Sequence, residues 1–410
     1  MLKQTLKIVW KERKTNLWIL LELFIPFVIL NCCLLFVYSF TKMYVEDPGH
    51  DIEHTYQIIL DYEEEARNEE KREENNKKLF YMLELIKQHP AVESAALSIA
   101  SAPNMTSYRG NGIYIDGEWA GIWQKDITPQ FFDVFKIDFL KGRSFDENSL
   151  DHNVIISGMP GNSFFGNDIL NVGAVYFDKD GAAKEVVGVT APIKRSQYDV
   201  YEFAVYCKMT MDNRALPTFH ELSVRVKPEA DVNFEDRFFE DMKDRLEIYP
   251  YYLSKVESYQ LRKKEYAEMM EYDRDLTNIS IISFFLLLNI FLGIVGTFWF
   301  RVQARRQDIG LRLSLGATSR DIRREFFSET LLLLGIAAVL ALVVIVNLAV
   351  LDPFFFIDFQ LSANSWINIG VNALIFLATF GILALFCLLA VWYPARQAGK
   401  MQPHQLAMEN

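Results

Sequence analysis

Residues 279–300 read ISIISFFLLLNIFLGIVGTFWF, a run of apolar and small polar side chains without a charge. A helix of about 20 apolar residues crosses the ~30 Å hydrocarbon core of a bilayer. Because this run is apolar around its whole circumference, it differs from a helix that covers a soluble core. Three further stretches are similarly long and apolar: Leu17–Phe40, Phe326–Leu351 and Trp366–Trp392. The predicted fold class is therefore a membrane protein with four transmembrane α-helices.

The remainder of the chain is rich in charge. Of the 410 residues, 51% are hydrophobic and 23% are charged, and the net charge is −11. The hydrophobic fraction is high although almost a quarter of the residues are charged, which indicates that the apolar residues are confined to a few segments beside a soluble domain. We predict that residues 42–255, between the first and second stretches, form a large extracytoplasmic α+β domain. Residues 42–275 contain 44 Asp and Glu against 28 Lys and Arg, a net charge of −16, and so acidic a domain disfavours nucleic-acid binding.

Short β-type runs separated by turn residues predict the strands of this domain. The runs are Gly112–Ile115, Asn153–Ile156, Val172–Phe177, Glu185–Val189 and Glu221–Val226, with turns at Asp116–Gly117 and Asp180–Gly181. Helices are predicted over the last part of Asp61–Gln88 and over Phe234–Leu246.

Residues 256–278 favour a helix and contain no glycine or proline. They lead into the second apolar stretch without a breaker. We therefore predict one continuous helix from Val256 to about Phe300, roughly 68 Å long at ~1.5 Å per residue. Such a stalk would transmit motion rigidly across the membrane.

The distribution of lysine and arginine predicts the orientation, because cytoplasmic segments near helix ends are enriched in them. The basic residues lie in the N-terminal segment, after the second stretch and after the fourth: Lys3, Lys7, Lys11, Arg13 and Lys14; Arg301, Arg305, Arg306, Arg312, Arg320, Arg323 and Arg324; Arg396 and Lys400. The loop Asp352–Ser365 contains none. We expect a multi-pass membrane protein with both termini cytoplasmic, an uncleaved first helix and the large domain outside the cytoplasm.

Motifs of catalysis are absent from the sequence. It contains no HExxH, no G-x-S-x-G and no phosphate-binding G-x-x-x-x-G-K-[ST]. Cys32, Cys33 and Cys387 lie in apolar stretches and Cys207 stands alone in the large domain, which argues against a disulfide framework or a metal site. We expect a non-catalytic subunit without a cofactor or metal of its own.

Polar residues within the apolar stretches leave alternatives open. Glu22 is either an interfacial side chain near the cytoplasmic boundary or part of an ion or substrate site. Gly293 and Thr297 form a small-xxx-small pair that permits close helix approach, either within the chain or to a second copy.

The loop after the second stretch reads RRQDIGLRLSLGATSRDI, residues 305–322. It resembles the signature R-R-x-E-I-G-[IL]-R-x-A-[LI]-G-A of MacB/FtsX-like ABC transporter permeases, with Asp308 replacing Glu and Ser314 replacing Ala. Pro394–Ala398 with Pro403 is similar to the P-A-R-x-A…P ending of that family. Asp126–Phe132 and Gly142–Phe145 are similar to segments of its extracytoplasmic core domain.

The resemblance implies that the loop holds a coupling helix that docks on a cytoplasmic ATPase chain, which binds ATP and Mg. The implied coupling residues are Asp308, Ile309, Gly310, Arg312, Gly316, Ala317, Arg320, Asp321, Ile322, Arg324 and Glu329. On composition alone, an equally good interpretation is that the arginines hold the loop at anionic lipid headgroups.

The resemblance also implies a location in the bacterial inner membrane, with the large domain in the periplasm. The implied function is that of a permease subunit, which converts ATP hydrolysis by a separate chain into movement of the extracytoplasmic domains and drives efflux of a periplasmic substrate. The implied partners are the ATPase, a second identical or different permease chain, a periplasmic adaptor, an outer-membrane channel and membrane lipids. The alternative is an FtsX-like transmembrane regulator of an envelope hydrolase.

The chain is accordingly predicted to divide into ten segments. They are a cytoplasmic amphipathic segment (1–16), the first transmembrane helix (17–41), the extracytoplasmic domain (42–255), the stalk helix (256–278), the second transmembrane helix (279–300), a cytoplasmic loop with the coupling helix (301–325), the third transmembrane helix (326–351), a short external loop (352–365), the fourth transmembrane helix (366–392) and a cytoplasmic tail (393–410).

Overall fold

The computed structural model describes residues 13–115, 118–146, 149–159, 171–213, 215–351 and 369–398. The chain divides into two compact units. One, the membrane unit, comprises residues 1–42 and 273–410, and the other, the inserted domain, comprises residues 43–272. The predicted turn at Asp116–Gly117, the loop 352–365 and residues 1–12 and 399–410 lie outside the described residues.

The described elements are numbered along the chain. The helices are α1 Arg13–Val45, α2 Arg72–Lys87, α3 Phe131–Val134, α4 Leu216–Phe219, α5 Phe234–Met242, α6 Tyr259–Met269, α7 Tyr272–Ala304, α8 Arg306–Ser314, α9 Ser319–Leu351 and α10 Ile369–Ala398. The strands are β1 Thr55–Tyr62, β2 Val92–Ile99, β3 Gly110–Ile115, β4 Glu118–Ile127, β5 Phe139–Gly142, β6 Asn153–Ser157, β7 Val175–Asp178, β8 Ala183–Thr190, β9 Ile193–Lys194, β10 Tyr201–Glu202, β11 Ala204–Lys208, β12 His220–Val226 and β13 Tyr251–Ser258.

Four of the described helices are long and apolar enough to cross a membrane. Their candidate spans are Asn16–Val45, Leu276–Ala304, Ser319–Leu348 and Gly370–Gln397, with mean hydropathies of 2.5 to 3.0. The predicted transmembrane helices are therefore confirmed, although each is longer than the predicted apolar stretch at one end or both. Longer helices tilt or extend beyond the hydrocarbon, so hydropathy locates a span better than it locates a helix end.

The four spanning helices share one hydrophobic core in the membrane unit. Phe27 of α1 packs against Phe376 of α10 at 5.0 Å between ring centroids, and Phe298 of α7 lies 6.4 Å from Phe326 of α9. Lipid tails are as apolar as these side chains, so van der Waals packing and buried polar contacts hold such helices together.

One of the two parts of the inserted domain is an antiparallel sheet, formed by strands from both ends of the domain in the order β2–β12–β1–β13. Helix α2 follows β1 and helix α5 follows β12, which gives a β-α-β-β-α-β arrangement of the ferredoxin type. Both helices bury apolar residues in one cluster against the sheet. In α2 these are Leu79, Met82, Leu83 and Ile86, the i, i+3, i+4, i+7 pattern of an amphipathic helix.

A six-stranded barrel is inserted in this sheet between β2 and β12. Its strands pair in the closed order β3–β4–β11–β6–β8–β7, and β7 returns to β3. The pairs β4–β11 and β6–β8 are parallel and the others are antiparallel. Closure removes free strand edges that would otherwise pair with another chain.

Arg225 ties the sheet to the segment that precedes it. Its side chain is 1% exposed, and its guanidinium donates to the carbonyl oxygens of Val134 (2.6 Å), Glu53 (2.8 Å) and Asp51 (2.8 Å). Burial lowers the pKa of Arg225, against the opposing effect of the nearby Asp51 carboxylate. Because a buried guanidinium needs its donors satisfied, these carbonyls fix the positions of α3 and of the 51–53 turn.

The strand and helix predictions for the inserted domain are confirmed with shifted ends. The strand predicted at Val172–Phe177 begins at Val175, and the helix predicted over Phe234–Leu246 ends at Met242. The turn at Asp180–Gly181 is present, with Gly181 at φ +81°.

The continuous stalk helix from Val256 is wrong. Val256 and Glu257 belong to β13 and pair with Ile58 and Gln57 of β1. Helix α6 starts only after Ser258, whose hydroxyl accepts from the amide of Leu261 at 3.3 Å. A second interruption separates α6 from α7 at Met270–Glu271, where Glu271 has φ +57°. Pairing with a distant strand overrides the local helix preference of these residues.

Candidate functional site

The signature loop folds into α8, a tight turn and the first turns of α9. The turn satisfies the last carbonyl groups of α8 in a Schellman arrangement, because Ala317 donates to Arg312 (3.0 Å) and Gly316 donates to Leu313 (3.1 Å). Gly316 has φ +96°, a conformation that residues with a side chain rarely adopt. The sequence therefore ends α8 at this glycine.

A capping box begins α9 two residues later. The amide and the hydroxyl of Thr318 donate to the Asp321 carboxylate at 2.9 and 2.6 Å, and the Asp321 amide donates back to the Thr318 hydroxyl at 3.3 Å. This pairing satisfies donors that the first helical turn leaves free. The two caps together define the geometry between α8 and α9.

An ion pair joins the two helices across the turn. Both oxygens of Glu325 in α9 accept from the Arg312 guanidinium, at 2.8 and 2.6 Å. Because both side chains are partly exposed to solvent, this pair contributes only about 0–1 kcal/mol to stability.

The predicted coupling residues fall into two groups. Asp308, Arg312, Gly316, Arg320, Asp321 and Arg324 are exposed, whereas Ile309, Gly310, Ile322 and Glu329 are buried and Ala317 is half-buried. Ile309 and Ile322 belong to the hydrophobic core of the membrane unit. The buried residues thus hold the loop against the helices, and the exposed ones present a surface.

Two exposed leucines in α8 and its turn complete this surface. Leu311 is 62% exposed and Leu315 is 79% exposed. Residues four apart share one side of a helix, so the two side chains lie next to each other. We define the loop surface as Asp308, Leu311, Leu315, Arg320 and Arg324. The sequence prediction omitted the leucines; their signal is the i, i+4 spacing of apolar residues in a short segment rich in arginine.

Glu329 lies at the centre of a buried polar cluster. Its carboxylate accepts from Arg301 of α7 at 2.5 Å and from Arg305 at 3.0 and 3.3 Å. Arg301 also donates to the Asn16 side chain of α1. Charged groups within membrane helices are stabilised by pairing with one another. The sequence contains two signals for this pair. Glu329 is an acidic residue within one apolar stretch, and Arg301 is a basic residue at the end of another.

Helix α9 is unbroken from Ser319 to Leu351. The expected boundary between the coupling helix and the third transmembrane helix, at 325/326, is therefore not a structural break. Arg320 and Arg324 of the loop surface therefore lie on the same helix as the third span.

The signature loop lies in a part of the chain that matches a known family. Residues 280–403 match the FtsX-like permease C-terminal family. The membrane unit is thus similar to the C-terminal part of FtsX-like permeases. This match confirms the resemblance that the signature loop had indicated, and the permease family fits a non-catalytic transmembrane subunit.

A curated relative matches a longer part of the chain. The chain is 27% identical over 225 residues to the macrolide export ATP-binding/permease protein MacB 1/2 of Paracoccus denitrificans, which covers 52% of the chain. The chain spans 33% of the length of that relative.

Two solved structures resemble part of the chain. The periplasmic region of MacB from Actinobacillus actinomycetemcomitans aligns with 55% of this chain and 97% of its own, at 13% identity and a TM-score of 0.35. The extracellular domain of the ABC-type transporter YknZ from Gram-positive bacteria aligns with 49% of this chain and 99% of its own, at 20% identity and a TM-score of 0.31.

Two polar contacts join α1 to other helices of the membrane unit. The Thr297 hydroxyl donates to the Glu22 carboxylate at 3.3 Å, and Glu22 packs so closely that a Cβ on Gly293 would lie 1.7 Å from its Oε1 atom. Asn31 donates to the Thr379 hydroxyl of α10 at 3.1 Å. Of the alternatives left open by the sequence, packing within the chain therefore accounts for Gly293 and Thr297.

Proposed function

We propose that this chain is the permease subunit of an ABC transporter that couples ATP hydrolysis by a separate ATPase chain to movement of the inserted domain. The observation that carries the proposal is the loop surface, exposed on a capped loop that continues directly into a spanning helix. The work done is expected to drive extrusion of a substrate that is already outside the cytoplasm. The lysine and arginine distribution supports a cytoplasmic loop and an inserted domain in the periplasm.

The chemistry of the loop surface suits a protein partner. Burial of a leucine side chain contributes roughly 1.5–3 kcal/mol, so Leu311 and Leu315 would supply an apolar anchor. Asp308, Arg320 and Arg324 surround this anchor with charges of both signs, which favours a partner with a complementary charge pattern. A lipid headgroup layer would complement the arginines but not the aspartate.

Movement of the loop would pass into the membrane through α9. Its buried Glu329 holds Arg301 of α7, so a displacement of α9 would carry α7 with it. Helix α7 begins at Tyr272, where the inserted domain ends. In this mechanism the loop surface docks the ATPase and the buried cluster transmits movement from α9 to α7.

The docking role is tested by co-expression of the chain with the ABC ATPase chains of its source genome. We expect Leu315→Asp combined with Arg324→Glu to lower the yield of co-purified ATPase at least ten-fold. Leu140→Asp, at a leucine of the inserted domain that is 60% exposed, is the matched control and should not change the yield. Full recovery of the ATPase with the double variant, in a protein of unchanged thermal stability, would refute the docking role.

A second candidate function is regulation of an envelope hydrolase by an FtsX-like permease. The observation that favours it is that the family model matching residues 280–403 is that of FtsX-like permeases. A pull-down of the full chain from the envelope distinguishes the two functions: a periplasmic adaptor supports export, and a cell-wall hydrolase supports regulation.

A further inference from the structure

The hairpin β9–β10 and its loop, Ile193–Glu202, contact the segment where the chain enters the inserted domain. Lys194 donates through Nζ to the carbonyl oxygen of Met43 (2.7 Å) and through its amide to that of Pro48 (2.9 Å). Gln197 donates to the carbonyl of Glu46 at 3.1 Å, and Tyr201 donates to that of Asp47 at 3.0 Å. Met43 belongs to the last turns of α1, so the hairpin holds the end of that helix.

The same hairpin contacts the segment where the chain leaves the inserted domain. The Asp199 carboxylate accepts from the Tyr266 hydroxyl of α6 at 3.2 Å and from the Tyr272 hydroxyl at the start of α7 at 3.1 Å. Tyr266 precedes the interruption at Met270–Glu271 and Tyr272 follows it. One carboxylate therefore bridges the break between α6 and α7.

Tyr198 connects the two segments directly. Its ring stacks on Tyr272 with centroids 4.7 Å apart and an interplanar angle of 28°. It also packs against Tyr44 at 5.3 Å. The Tyr198 side chain thus contacts both the end of α1 and the start of α7.

The hairpin is itself anchored in the barrel by buried charges. Glu202 pairs with Arg195 at 2.6 Å and with Lys125 of β4 at 3.3 Å, and the side chains of Glu202 and Lys125 are almost fully buried. The Arg195 guanidinium also lies over the rings of Tyr108 (4.9 Å) and Trp123 (5.0 Å). A hairpin so fixed cannot move independently of the barrel.

We propose that Ile193–Glu202 is a clamp that holds the end of α1 and the start of α7 on the barrel, and that Asp199 is a positioning residue that stiffens the α6–α7 break. The chain enters and leaves the inserted domain only at these two points, and a left-handed residue interrupts the second of them. Without the clamp, rotation about the backbone at Glu271 would absorb a movement of α7. The role of the clamp in transmitting movement rests on the proposed function, whereas the clamp contacts can be tested without it.

The clamp is tested by hydrogen–deuterium exchange of the full chain in lipid nanodiscs. Asp199→Ala removes the acceptor for both hydroxyls, and we expect exchange in residues 266–272 to become at least ten-fold faster. Asp199→Asn keeps one acceptor oxygen and should give an intermediate rate, whereas Tyr266→Phe with Tyr272→Phe should reproduce the alanine variant. Asp180→Ala, at an exposed turn of the same barrel, is the matched control. Unchanged exchange in Asp199→Ala would overturn the clamp.

Transmission is tested with the ATPase present. In the unaltered protein, MgATP with vanadate is expected to change exchange in the β3–β4 hairpin of the inserted domain. Asp199→Ala should abolish this change while the ATPase still co-purifies at full yield and unchanged exchange in β2 and β12 shows that the domain is folded. Tyr44→Cys and Tyr198→Cys, joined by a short bismaleimide in a chain lacking its native cysteines, should restore it.

The two hypotheses fail in different ways. A normal nucleotide response in Asp199→Ala would overturn the role of the clamp in transmission and leave the proposed function intact. No nucleotide response in the unaltered protein, or no ATPase in the purified complex, would overturn the proposed function and transmission with it. The exchange rates in residues 266–272 would then still decide whether the clamp exists.

Discussion

Arg301 of α7 donates to the carboxylate of Glu329 in α9 at 2.5 Å, and both side chains are buried among the spanning helices. The pair joins two helices whose interacting residues are 28 positions apart in the chain. It links α9, which carries Arg320 and Arg324 of the loop surface, to α7, which continues from the inserted domain.

Removal of one partner of this pair should be strongly destabilising. We expect Arg301→Met to cost about 3–5 kcal/mol of unfolding free energy, because Glu329 is left with a reduced set of donors in an apolar environment. Arg301→Met combined with Glu329→Met should recover much of the loss. Unfolding in detergent by a mild denaturant measures both. If Arg301→Met is as stable as the native protein, the buried pair of Arg301 and Glu329 does not stabilise the membrane unit.

Substitution of Gly293 should weaken the contact between α1 and α7. Gly293→Ala places a Cβ within 1.7 Å of Glu22 Oε1, so the carboxylate must move away from Thr297. We expect a loss of about 1–3 kcal/mol, as for other overpacked sites. Gly296→Ala, where nothing lies within 4 Å of the added carbon, is the control and should be neutral or slightly stabilising. Thermal unfolding of the two variants in one detergent compares them.

Gly316 should be sensitive to any side chain. At φ +96°, Gly316→Ala adopts a strained conformation, and we expect a cost of about 1 kcal/mol or more together with a lower yield of co-purified ATPase. Gly335→Ala lies in the same α9 helix with open space around it and should leave both quantities unchanged. Equal ATPase yields from the two variants would show that the Schellman turn is not needed for docking.

The stability of the inserted domain should fall in acid through Glu202. Burial raises the pKa of Glu202, but Lys125 and Arg195 outweigh it and hold the pKa below its usual range. A carboxylate with a depressed pKa contributes stability that is complete above the ordinary pKa of about 4.3 and is lost as pH falls through the folded value. Glu202→Gln should therefore lower stability at neutral pH and flatten its decline below about pH 4.5. The stability of the full chain is followed over this pH range by hydrogen–deuterium exchange in β10 and β11. A decline in Glu202→Gln as steep as that of the unaltered protein would contradict the role of Glu202.

The sequence predicted the features that depend on local chemistry. The span at 279–300 follows from the absence of charge over the thickness of a bilayer, and the turn at Asp180–Gly181 follows from two residues that favour turns. The helix predicted from Val256 was wrong because its residues have no breaker, while their conformation is decided by β1, nearly two hundred residues earlier.

What the sequence alone determined about this protein is where the chain crosses the membrane, where its soluble domain lies and which loop carries the family signature. Tertiary structure alone decided that Glu329 belongs to a buried cluster, that Gly293 receives Glu22, and that Asp199 bridges the break between α6 and α7. The physical reason is the range of the interactions. Hydropathy and capping are properties of neighbouring residues, whereas each of these contacts joins residues far apart in the chain and exists only once the elements between them have packed.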